Sequence, residues 1–339
     1  MLRGALLGVG HVAVHGHLPG WAKRSGATIA AAADVRDENR PAFRAVFPSG
    51  RWYADAAELL ASETLDFVDV CAPPALHASL VRAALERSLH VLCEKPLVLS
   101  PSELPPLAAR AGVADRALVT VHNWKHAAAL EKTTELVRSG AIGAVVSCRW
   151  ETLRTRPAAA AGGASNWRAG GVDSGGGVLV DHGWHALYVL SQWLPEPPRS
   201  VRARLEKRRS PDLRAEDTAE VELEADGARA EVFLTWAAEE RANRVRVRGE
   251  AGEIRLDGGR LVLERPGRAA EEWSFPSLAE GSHHPDWFAG VLREFLGEAE
   301  DPAARGRNLV EAARCVALIE SARESHARGG EAVAAGETP

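Results

Sequence analysis

The sequence predicts an α/β protein: a doubly wound parallel sheet first, then a second α/β domain built on a large open sheet. Three observations support this fold class. Short apolar segments alternate with helix-like segments through the first 121 residues, and a glycine-rich turn follows the first apolar segment. From residue 144 to 259, most segments instead alternate apolar and polar side chains with a period of two. The first pattern builds a parallel sheet that helices cover, and the second builds strands with one exposed face.

Length and charge limit the classes of partner. A chain of 339 residues fits two domains at about 150 residues each. The net charge of −5 lacks the basic excess of a nucleic-acid-binding protein, so no nucleic acid is expected. No stretch approaches the roughly 18 apolar residues of a membrane span, and the apolar run at 5–14 is too short and too broken by glycine for a signal peptide. We therefore expect no membrane partner.

The four cysteines indicate the compartment. They are Cys71, Cys93, Cys148 and Cys315, and none forms a CxxC pair. Each lies in an apolar segment, where a free cysteine packs as a small hydrophobic residue. Such spacing predicts reduced, buried thiols and a cytoplasmic location.

The glycine-rich turn predicts a dinucleotide site. It has the form Gly8-x-Gly10-x-x-Ala13 between a strand and a helix. Gly8 permits a tight turn, Gly10 lets the backbone approach a pyrophosphate, and Ala13 lets helix and strand pack closely. The backbone of His11 and Val12 opens the helix, where free N–H groups favour phosphate.

The next strand strengthens this prediction and favours NAD over NADP as the cofactor. The segment ATIAAAADV ends near Asp34, 21 residues after Ala13, where the fingerprint expects an acidic residue that binds ribose hydroxyls. A carboxylate there repels a 2′-phosphate, so NAD is the expected cofactor. Arg36 lies close enough in sequence to accept that phosphate, which keeps NADP as the alternative.

Three motifs follow later strands of the predicted parallel sheet: APP at 72–74, EKP at 94–96 and HNWK at 122–125. The ligand crevice of such a sheet lies beyond the carboxyl ends of its strands. The three motifs are therefore expected to border the ligand.

With these motifs the chain resembles the glucose-fructose oxidoreductase/inositol dehydrogenase (Gfo/Idh/MocA) family, to about residue 328. The matching segments are GVGHVA at 8–13, APPALH at 72–77, CEKP at 93–96, SGAIGAV at 139–145 and SGGGVLVDHGWH at 174–185. The resemblance implies a Rossmann domain over 1–121. It also implies a substrate-binding and oligomerisation domain over 122–329, with a large, mostly antiparallel sheet. Residues 330–339 are expected to be a flexible tail.

The resemblance also implies roles on the cofactor side. Lys95 would contact the cofactor ribose and the reacting oxygen, where a cation stabilises developing alkoxide charge. Glu94 would orient Lys95, and the bond before Pro96 is expected to be cis. His77 would either line the nicotinamide pocket or begin a helix. The remaining expected cofactor contacts are Ala72, Pro73 and Pro74.

On the substrate side, Asp181 and His185 are spaced i, i+4, which places both on one helix face. The pattern alone is also typical of hydrogen-bonded core polar groups. The resemblance implies that His185 is the general base and that Asp181 binds a substrate hydroxyl. Tyr188 stands where the family usually has Asp, which points to a less hydroxylated substrate.

Other residues are expected to shape the substrate site. Asn123, Trp124 and Lys125 follow a strand of the first domain, and Lys125 occupies a place where relatives often have Arg. The long segment 155–177, rich in Gly and Ala, carries Trp167 and Arg168, which could close over substrate. Two histidines within 281–287 lack the third ligand that catalytic zinc needs, so no metal is predicted.

The predicted function is hydride transfer between NAD(P) and a ring secondary alcohol or ketone of a sugar, cyclitol or related compound. Two alternatives remain on the same fold: an NAD-dependent glycoside hydrolase that oxidises its substrate transiently, and a non-catalytic cofactor-binding sensor. An open sheet exposes a face unless something covers it, so a homodimer or homotetramer through that sheet is expected.

Overall fold

The computed structural model describes residues 1–157, 175–209, 213–281 and 283–336. The chain forms two compact units. The first contains residues 1–123 and 282–312, and the second contains residues 124–281 and 313–339. The segment 282–312, predicted to belong to the second domain, instead belongs to the first unit.

The strands of the described residues are β1 Leu2–Leu7, β2 Ala27–Ala33, β3 Arg51–Tyr53, β4 Phe67–Val70, β5 His90–Cys93, β6 Leu118–Thr120, β7 Val145–Leu153, β8 Ser200–Glu206, β9 Thr218–Ala225, β10 Ala228–Thr235, β11 Ala242–Gly249, β12 Gly252–Asp257, β13 Arg260–Glu264, β14 Glu271–Ser274 and β15 Val333–Ala334. The α-helices are α1 Leu18–Ala22, α2 Arg40–Val46, α3 Ala56–Ser62, α4 His77–Glu86, α5 Leu104–Ala114, α6 Ala128–Arg138, α7 Trp184–Leu190, α8 Pro285–Glu300 and α9 Arg307–Ala327. Two π-helical turns, Ala13–His17 and Leu179–Gly183, lead directly into α1 and α7.

The first unit is built on a parallel sheet of six strands in the order β3-β2-β1-β4-β5-β6. β4 and β5 are buried along their whole length, as expected of strands covered on both faces. The strand order reverses between β1 and β4, which defines the crevice for a ligand in folds of this kind. The predicted Rossmann architecture is confirmed.

Aromatic packing explains why α8 belongs to this unit. Phe295 is fully buried and meets Trp21 and Phe67 edge-to-face, with ring centroids 6.2 and 5.4 Å apart. Phe288 lies 4.2 Å from the His17 ring, measured between centroids. The aromatic face of α8 therefore completes the core beside β4, which no local sequence pattern could reveal.

The second unit is built on a sheet with the order β14-β13-β12-β11-β7-β10-β9-β8-β15. Its pairs are antiparallel except for β7 with β10, so the predicted mostly antiparallel sheet is confirmed. One face carries charged pairs such as Arg149 with Glu231 at 3.2 Å and Arg246 with Glu253 at 3.4 Å. Oligomerisation through this sheet stays a prediction.

The end of the chain differs from the expected flexible tail. Val333 is buried, and β15 pairs antiparallel with β8. The Gly336 N–H also donates to Ser321 Oγ at 3.0 Å. The tail prediction is therefore wrong for 330–336, because an open sheet edge offers hydrogen bonds that composition does not reveal.

All four cysteines are buried and unpaired, as predicted. Within the described ranges, no helix is long and apolar enough to cross a membrane.

Candidate functional site

The glycine turn of the first unit lies directly against the end of β4. Gly8 has φ +92°, and a Cβ there would lie 2.7 Å from the Ala72 nitrogen and 2.8 Å from its Cα, so only glycine fits. Gly10 is open by contrast, since the nearest atom to an added Cβ is Arg36 Nη2 at 3.7 Å. The geometry fits the roles predicted for both glycines: one packs the turn and the other leaves room for a ligand.

Asp34 holds this turn in place. Its Oδ2 accepts the Val9 N–H at 2.7 Å and the Asn39 side-chain N–H at 3.1 Å, while Oδ1 accepts the Arg36 N–H at 2.8 Å. An ionised carboxylate offers about four acceptor positions, so capacity for a ribose hydroxyl remains. The Arg36 side chain is 45% exposed, and its Nε lies 3.6 Å from Asp34 Oδ1.

His11 belongs to a small histidine cluster at the same turn. Its Nδ1 lies 2.7 Å from His283 Nε2, and its ring centroid lies 4.3 Å from that of His15. His283 has φ +68°, an uncommon backbone conformation for a residue other than glycine. Val12 is half-buried and immediately precedes the π-helical turn.

The EKP motif follows β5, and its Lys95–Pro96 bond is cis, as expected. His77 lies fully buried beneath it, with Nδ1 2.7 Å from the Pro96 carbonyl oxygen and Nε2 2.8 Å from that of Ala72. Burial lowers the pKa of His77 despite these two contacts. His77, the first residue of α4, therefore lies between the APP and EKP motifs, and its neutral ring donates to one of the two carbonyl oxygens.

A buried network behind the EKP motif was missed by the sequence analysis. His17 lies between two carboxylates: its Nδ1 is 2.8 Å from Asp69 Oδ2, and its Nε2 is 2.9 Å from Glu94 Oε1. The other Glu94 oxygen, Oε2, accepts the Lys95 N–H at 3.1 Å. The indole N–H of Trp21 donates to Asp69 Oδ2 at 2.7 Å. His17 thereby joins the helix after the glycine turn, β4 and the EKP motif.

Electrostatics make His17 a buried imidazolium. Burial lowers its pKa, but the charge of Asp69 and the hydrogen bonds around the ring outweigh this, so the pKa lies well above the ordinary value of 6.5. Burial also opposes ionisation of Glu94, yet the hydrogen bond and charge of His17 hold the pKa of that carboxyl below its usual range. The sequence signal for this network was the carboxylate of Asp69 inside an otherwise apolar strand.

His17, Asp69 and Cys71 also bring possible metal-ligand atoms within 4.8 Å of one another. His17 Nδ1 lies 2.8 Å from the Asp69 oxygen and 3.2 Å from Cys71 Sγ. Ligands that each lie about 2.0–2.3 Å from a tetrahedral zinc ion stand farther apart than this. The spacing fits hydrogen bonding, and the absence of a metal stays a prediction.

In the second unit, the glycine turn 175–177 leads into the helix that carries the predicted base. A Cβ on Gly177 would overlap the Glu216 carbonyl oxygen, so glycine is required there. Glu216 Oε1 accepts the N–H groups of Gly177 and Leu179 at 3.1 and 3.0 Å. This carboxylate caps the helix start, although 37 residues or more separate it from both partners.

Asp181 lies in the π-helical turn and His185 in α7, so the predicted helix begins with wider turns than an α-helix. Asp181 Oδ2 lies 3.2 Å from Nδ1 of the adjacent His182. His185 is 7% exposed, and its ring stacks on Trp124 with centroids 4.9 Å apart and planes at 14°.

Tyr188 is fully buried and contacts the Nδ1 side of the His185 ring. Its hydroxyl lies 3.0 Å from His185 Nδ1 and accepts the Trp124 N–H at 2.9 Å. The structure brings Tyr188 together with Trp124 around the imidazole. The expected contact of Tyr188 with the substrate stays a prediction.

The other expected substrate residues are placed as follows. Asn123 and Lys125 are half-buried in the short 3-10 helix Asn123–His126. Asn123 Oδ1 is a buried acceptor with no hydrogen-bond partner in the described part of the chain, which suits a ligand contact. Trp167 and Arg168 lie outside the described residues.

Two family models match the chain. A model described as an oxidoreductase family with an NAD-binding Rossmann fold matches residues 2–122, and one described as a GFO/IDH/MocA C-terminal domain matches residues 130–255.

Among curated proteins, the D-apiose dehydrogenase of Rhizobium rhizogenes is 25% identical over 97% of this chain and 96% of that enzyme. A D-apiose dehydrogenase of Paraburkholderia graminis is 33% identical, over 42% of this chain and only 37% of the enzyme. The D-glucoside 3-dehydrogenase of Escherichia coli is 28% identical over 56% of this chain and 54% of the enzyme.

Solved structures agree on the fold. An Agrobacterium radiobacter oxidoreductase in complex with NAD+, L-tartaric acid and magnesium has a TM-score of 0.85 and 25% identity, over 98% of both chains. A levoglucosan dehydrogenase in complex with NADH and levoglucosan also has a TM-score of 0.85, over 99% of this chain and 100% of that one. Its 18% identity supports the fold alone.

The buried charge of His17 predicts a pH-dependent stability. Because its pKa is raised, the charge stabilises the fold fully below about pH 6.5, and this contribution is lost as the pH rises through the raised pKa. The difference in unfolding free energy between wild type and His17→Gln should therefore shrink from about pH 6 to about pH 9, by up to about 1.4 kcal/mol per unit of pKa elevation. Urea titrations at both pH values measure it.

His15→Gln, an exposed change in the same turn, is the matched control for the loss of a histidine side chain. A difference for His17→Gln that stays constant across the range would contradict a charged imidazole.

Proposed function

Because the chain belongs to the GFO/IDH/MocA oxidoreductase family, we propose that it is a nicotinamide-dependent dehydrogenase acting on a ring secondary alcohol or ketone. The substrate class is a sugar, cyclitol or related compound, as the apiose, glucoside and levoglucosan dehydrogenases among its relatives support. The observation that carries the proposal is His185, an imidazole stacked on Trp124 and held at Nδ1 by Tyr188.

The first unit fits a dinucleotide. Gly10 leaves the turn open, Asp34 retains acceptor capacity, and the backbone of Cys71 and Ala72 packs against Gly8. When bound, the nicotinamide supplies the hydride chemistry. NAD is the proposed cofactor, since Asp34 stands where a 2′-phosphate would have to bind.

The hydrogen bonds around His185 prepare it to accept a proton. A neutral imidazole that accepts at Nε2 must carry its hydrogen on Nδ1, and that hydrogen needs an acceptor. The Tyr188 oxygen has two acceptor positions, and it can take both the Trp124 N–H and the His185 Nδ1–H. Nε2 then receives the hydroxyl proton during oxidation and returns it during reduction.

Two further residues complete the proposed chemistry. Lys95 stabilises the negative charge that develops on the reacting oxygen, and Glu94 fixes its backbone through the 3.1 Å hydrogen bond to the Lys95 N–H. Asp181 binds a second hydroxyl of the substrate. Tyr188 acts through His185, as a positioning residue rather than a substrate contact.

The proposal is tested by the near-ultraviolet absorbance of reduced nicotinamide, in mixtures of protein, NAD+ and a panel of sugars, cyclitols, aminosugars and glycosides. A rise is expected with at least one compound. Lys95→Ala and His185→Ala should each lower kcat/KM by about a hundredfold or more, because each removes a group that acts on the moving charge or proton.

If the absorbance rises with no compound but free sugar is released from a glycoside, the dehydrogenase is rejected and the protein is a glycoside hydrolase. If neither the absorbance rise nor the release of free sugar is observed, the protein is a cofactor-binding sensor. A rise that both variants retain would reject the assigned residues.

Tyr188→Phe tests the positioning role. Loss of the hydroxyl should lower kcat about 10–100-fold while the KM for NAD changes little, because His185 loses its orienting partner and the cofactor site is untouched. Steady-state kinetics measure both constants. Tyr53→Phe removes the chain's other tyrosine hydroxyl, which bonds to Glu63 in the first unit, and serves as the control. Equal losses in the two variants would contradict a specific role.

Cofactor preference depends on Asp34 and Arg36. We expect NAD+ to bind at least about tenfold, or 1.4 kcal/mol, more tightly than NADP+. Arg36→Ala should weaken NADP+ further and leave the Kd for NAD+ nearly unchanged, since this guanidinium is the cation nearest to Gly10. Fluorescence titration measures each Kd, with the exposed Arg40→Ala as control. Tighter binding of NADP+ by wild type would overturn the preference.

A further inference from the structure

Arg154, directly after β7, is a buried cation with neutral partners. It is 4% exposed. Its Nη1 donates to the carbonyl oxygens of Leu153 and Ala242 at 2.8 and 3.0 Å, and its Nη2 donates to Asn243 Oδ1 at 2.8 Å. In the described part of the chain, none of its hydrogen bonds reaches a carboxylate. Burial of an ion is costly unless an opposite charge compensates it, so this arrangement calls for an explanation.

A second arginine nearby, exposed rather than buried, also donates to carbonyl oxygens. Arg241 precedes β11 and donates from Nε to the Ala279 carbonyl oxygen at 2.5 Å and from Nη2 to that of Gly281 at 2.8 Å. Burial and, to a smaller extent, the charge of Arg241 lower the pKa of Arg154 to about 10, while Asp181 acts in the opposite direction. Two arginine side chains therefore lie close together, and the hydrogen bonds above join both of them to neutral oxygens.

This pair lies at the end of the sheet on which the helix with Asp181 and His185 packs. The Arg154 N–H donates to the Thr235 carbonyl oxygen at 2.9 Å, at the end of β10. The helix that carries Asp181 packs on the same strand, because a Cβ on Gly183 would lie 3.1 Å from Leu234 Cδ1. The His182 ring meets Trp236, just beyond β10, with centroids 6.4 Å apart. Arg154 and Asp181 thus share one corner of the second unit.

A purely structural role does not account for the charge. Joining the ends of β7 and β11 requires donors, which a neutral amide side chain also supplies. Arg154 has five N–H hydrogens, and three are used in the contacts above. The other two, on the adjacent nitrogens Nε and Nη2, take no acceptor among the described residues. Adjacent N–H donors of a guanidinium are the geometry that a carboxylate matches.

We propose that Arg154, assisted by Arg241, binds a carboxylate of the substrate, so that the second unit takes a sugar acid such as a uronate or aldonate. This proposal rests on the proposed function, because the bound acid is a substrate only if the protein is the proposed dehydrogenase. A carboxylate is chosen over a phosphate because Asp181, close enough to act on Arg154, disfavours a doubly charged group.

The test compares acids with neutral partners by titration calorimetry of the protein saturated with NAD+. The pairs are D-glucuronate with D-glucose, D-galacturonate with D-galactose, and D-gluconate with D-glucitol. In at least one pair, wild type should bind the acid about tenfold or more tightly than its neutral partner. Arg154→Gln should lower the affinity for the acid about 30-fold or more and so remove this preference. Arg241→Gln should reduce the preference less, because that side chain is more exposed.

Arg149→Gln is the matched control, since Arg149 lies on β7, the strand that Arg154 follows, and pairs with Glu151 and Glu231 on the exposed face. It should keep the preference of wild type. Arg154→Lys retains the charge without the fork and should keep a reduced preference. If Arg154→Gln does not fold, the Lys variant and Arg241→Gln decide the result.

The proposal is overturned if wild type binds the neutral member of every pair as tightly as the acid, or if the preference survives in both glutamine variants. Tighter binding of D-glucose 6-phosphate than of D-glucuronate would reject the carboxylate. The experiments distinguish failure of this proposal from failure of the proposed function. If only neutral sugars are turned over, the acid site is rejected and the dehydrogenase stands. If an acid binds but no compound is turned over, the dehydrogenase is rejected and the acid site stands.

Discussion

The hydrogen bonds of one buried imidazolium hold the cofactor side of the protein together. His17 lies between Asp69 on β4 and Glu94 after β5, and it belongs to the helix that the glycine turn begins. Three segments that are far apart in sequence therefore converge on one ring. Loss of this charge would leave two carboxylates in an apolar interior, where an uncompensated ion costs several kcal/mol. The position of Lys95 depends on the contact between His17 and Glu94, because Glu94 also accepts the Lys95 N–H.

The second unit orients its own histidine with neutral groups. Trp124 stacks on His185, and the Tyr188 hydroxyl lies at Nδ1. In the proposed reaction, the imidazole of His185 gains and loses a proton beside a neutral partner, whereas the charge of Asp69 helps to raise the pKa of His17. The proposal thus gives the same side chain two purposes: a fixed charge in one unit and a movable proton in the other.

Much of this arrangement is predictable from sequence, and the rest is not, for physical reasons. The alternation of strands and helices and the Gly8 turn are local signals, and the structure confirms the parallel sheet that they predict. The partners of the key residues are distant: Glu216 caps a helix 37 residues or more away, and α8 fills the core of the first unit from the far end of the chain. No spacing rule connects such residues, because tertiary packing alone brings them together.

Charge balance separates the two units most clearly. Around His17 the charges alternate in sign from Asp69 through the ring to Glu94, and each step is a hydrogen bond, so the network is complete within the protein. Around Arg154 the bonds end on neutral oxygens, and a second arginine adds charge of the same sign. Asp181 compensates only one of these two charges, and it is also the residue proposed to bind a substrate hydroxyl. A fold that neutralises one buried cation so fully and leaves another so short of negative charge is organised to receive that charge from a ligand.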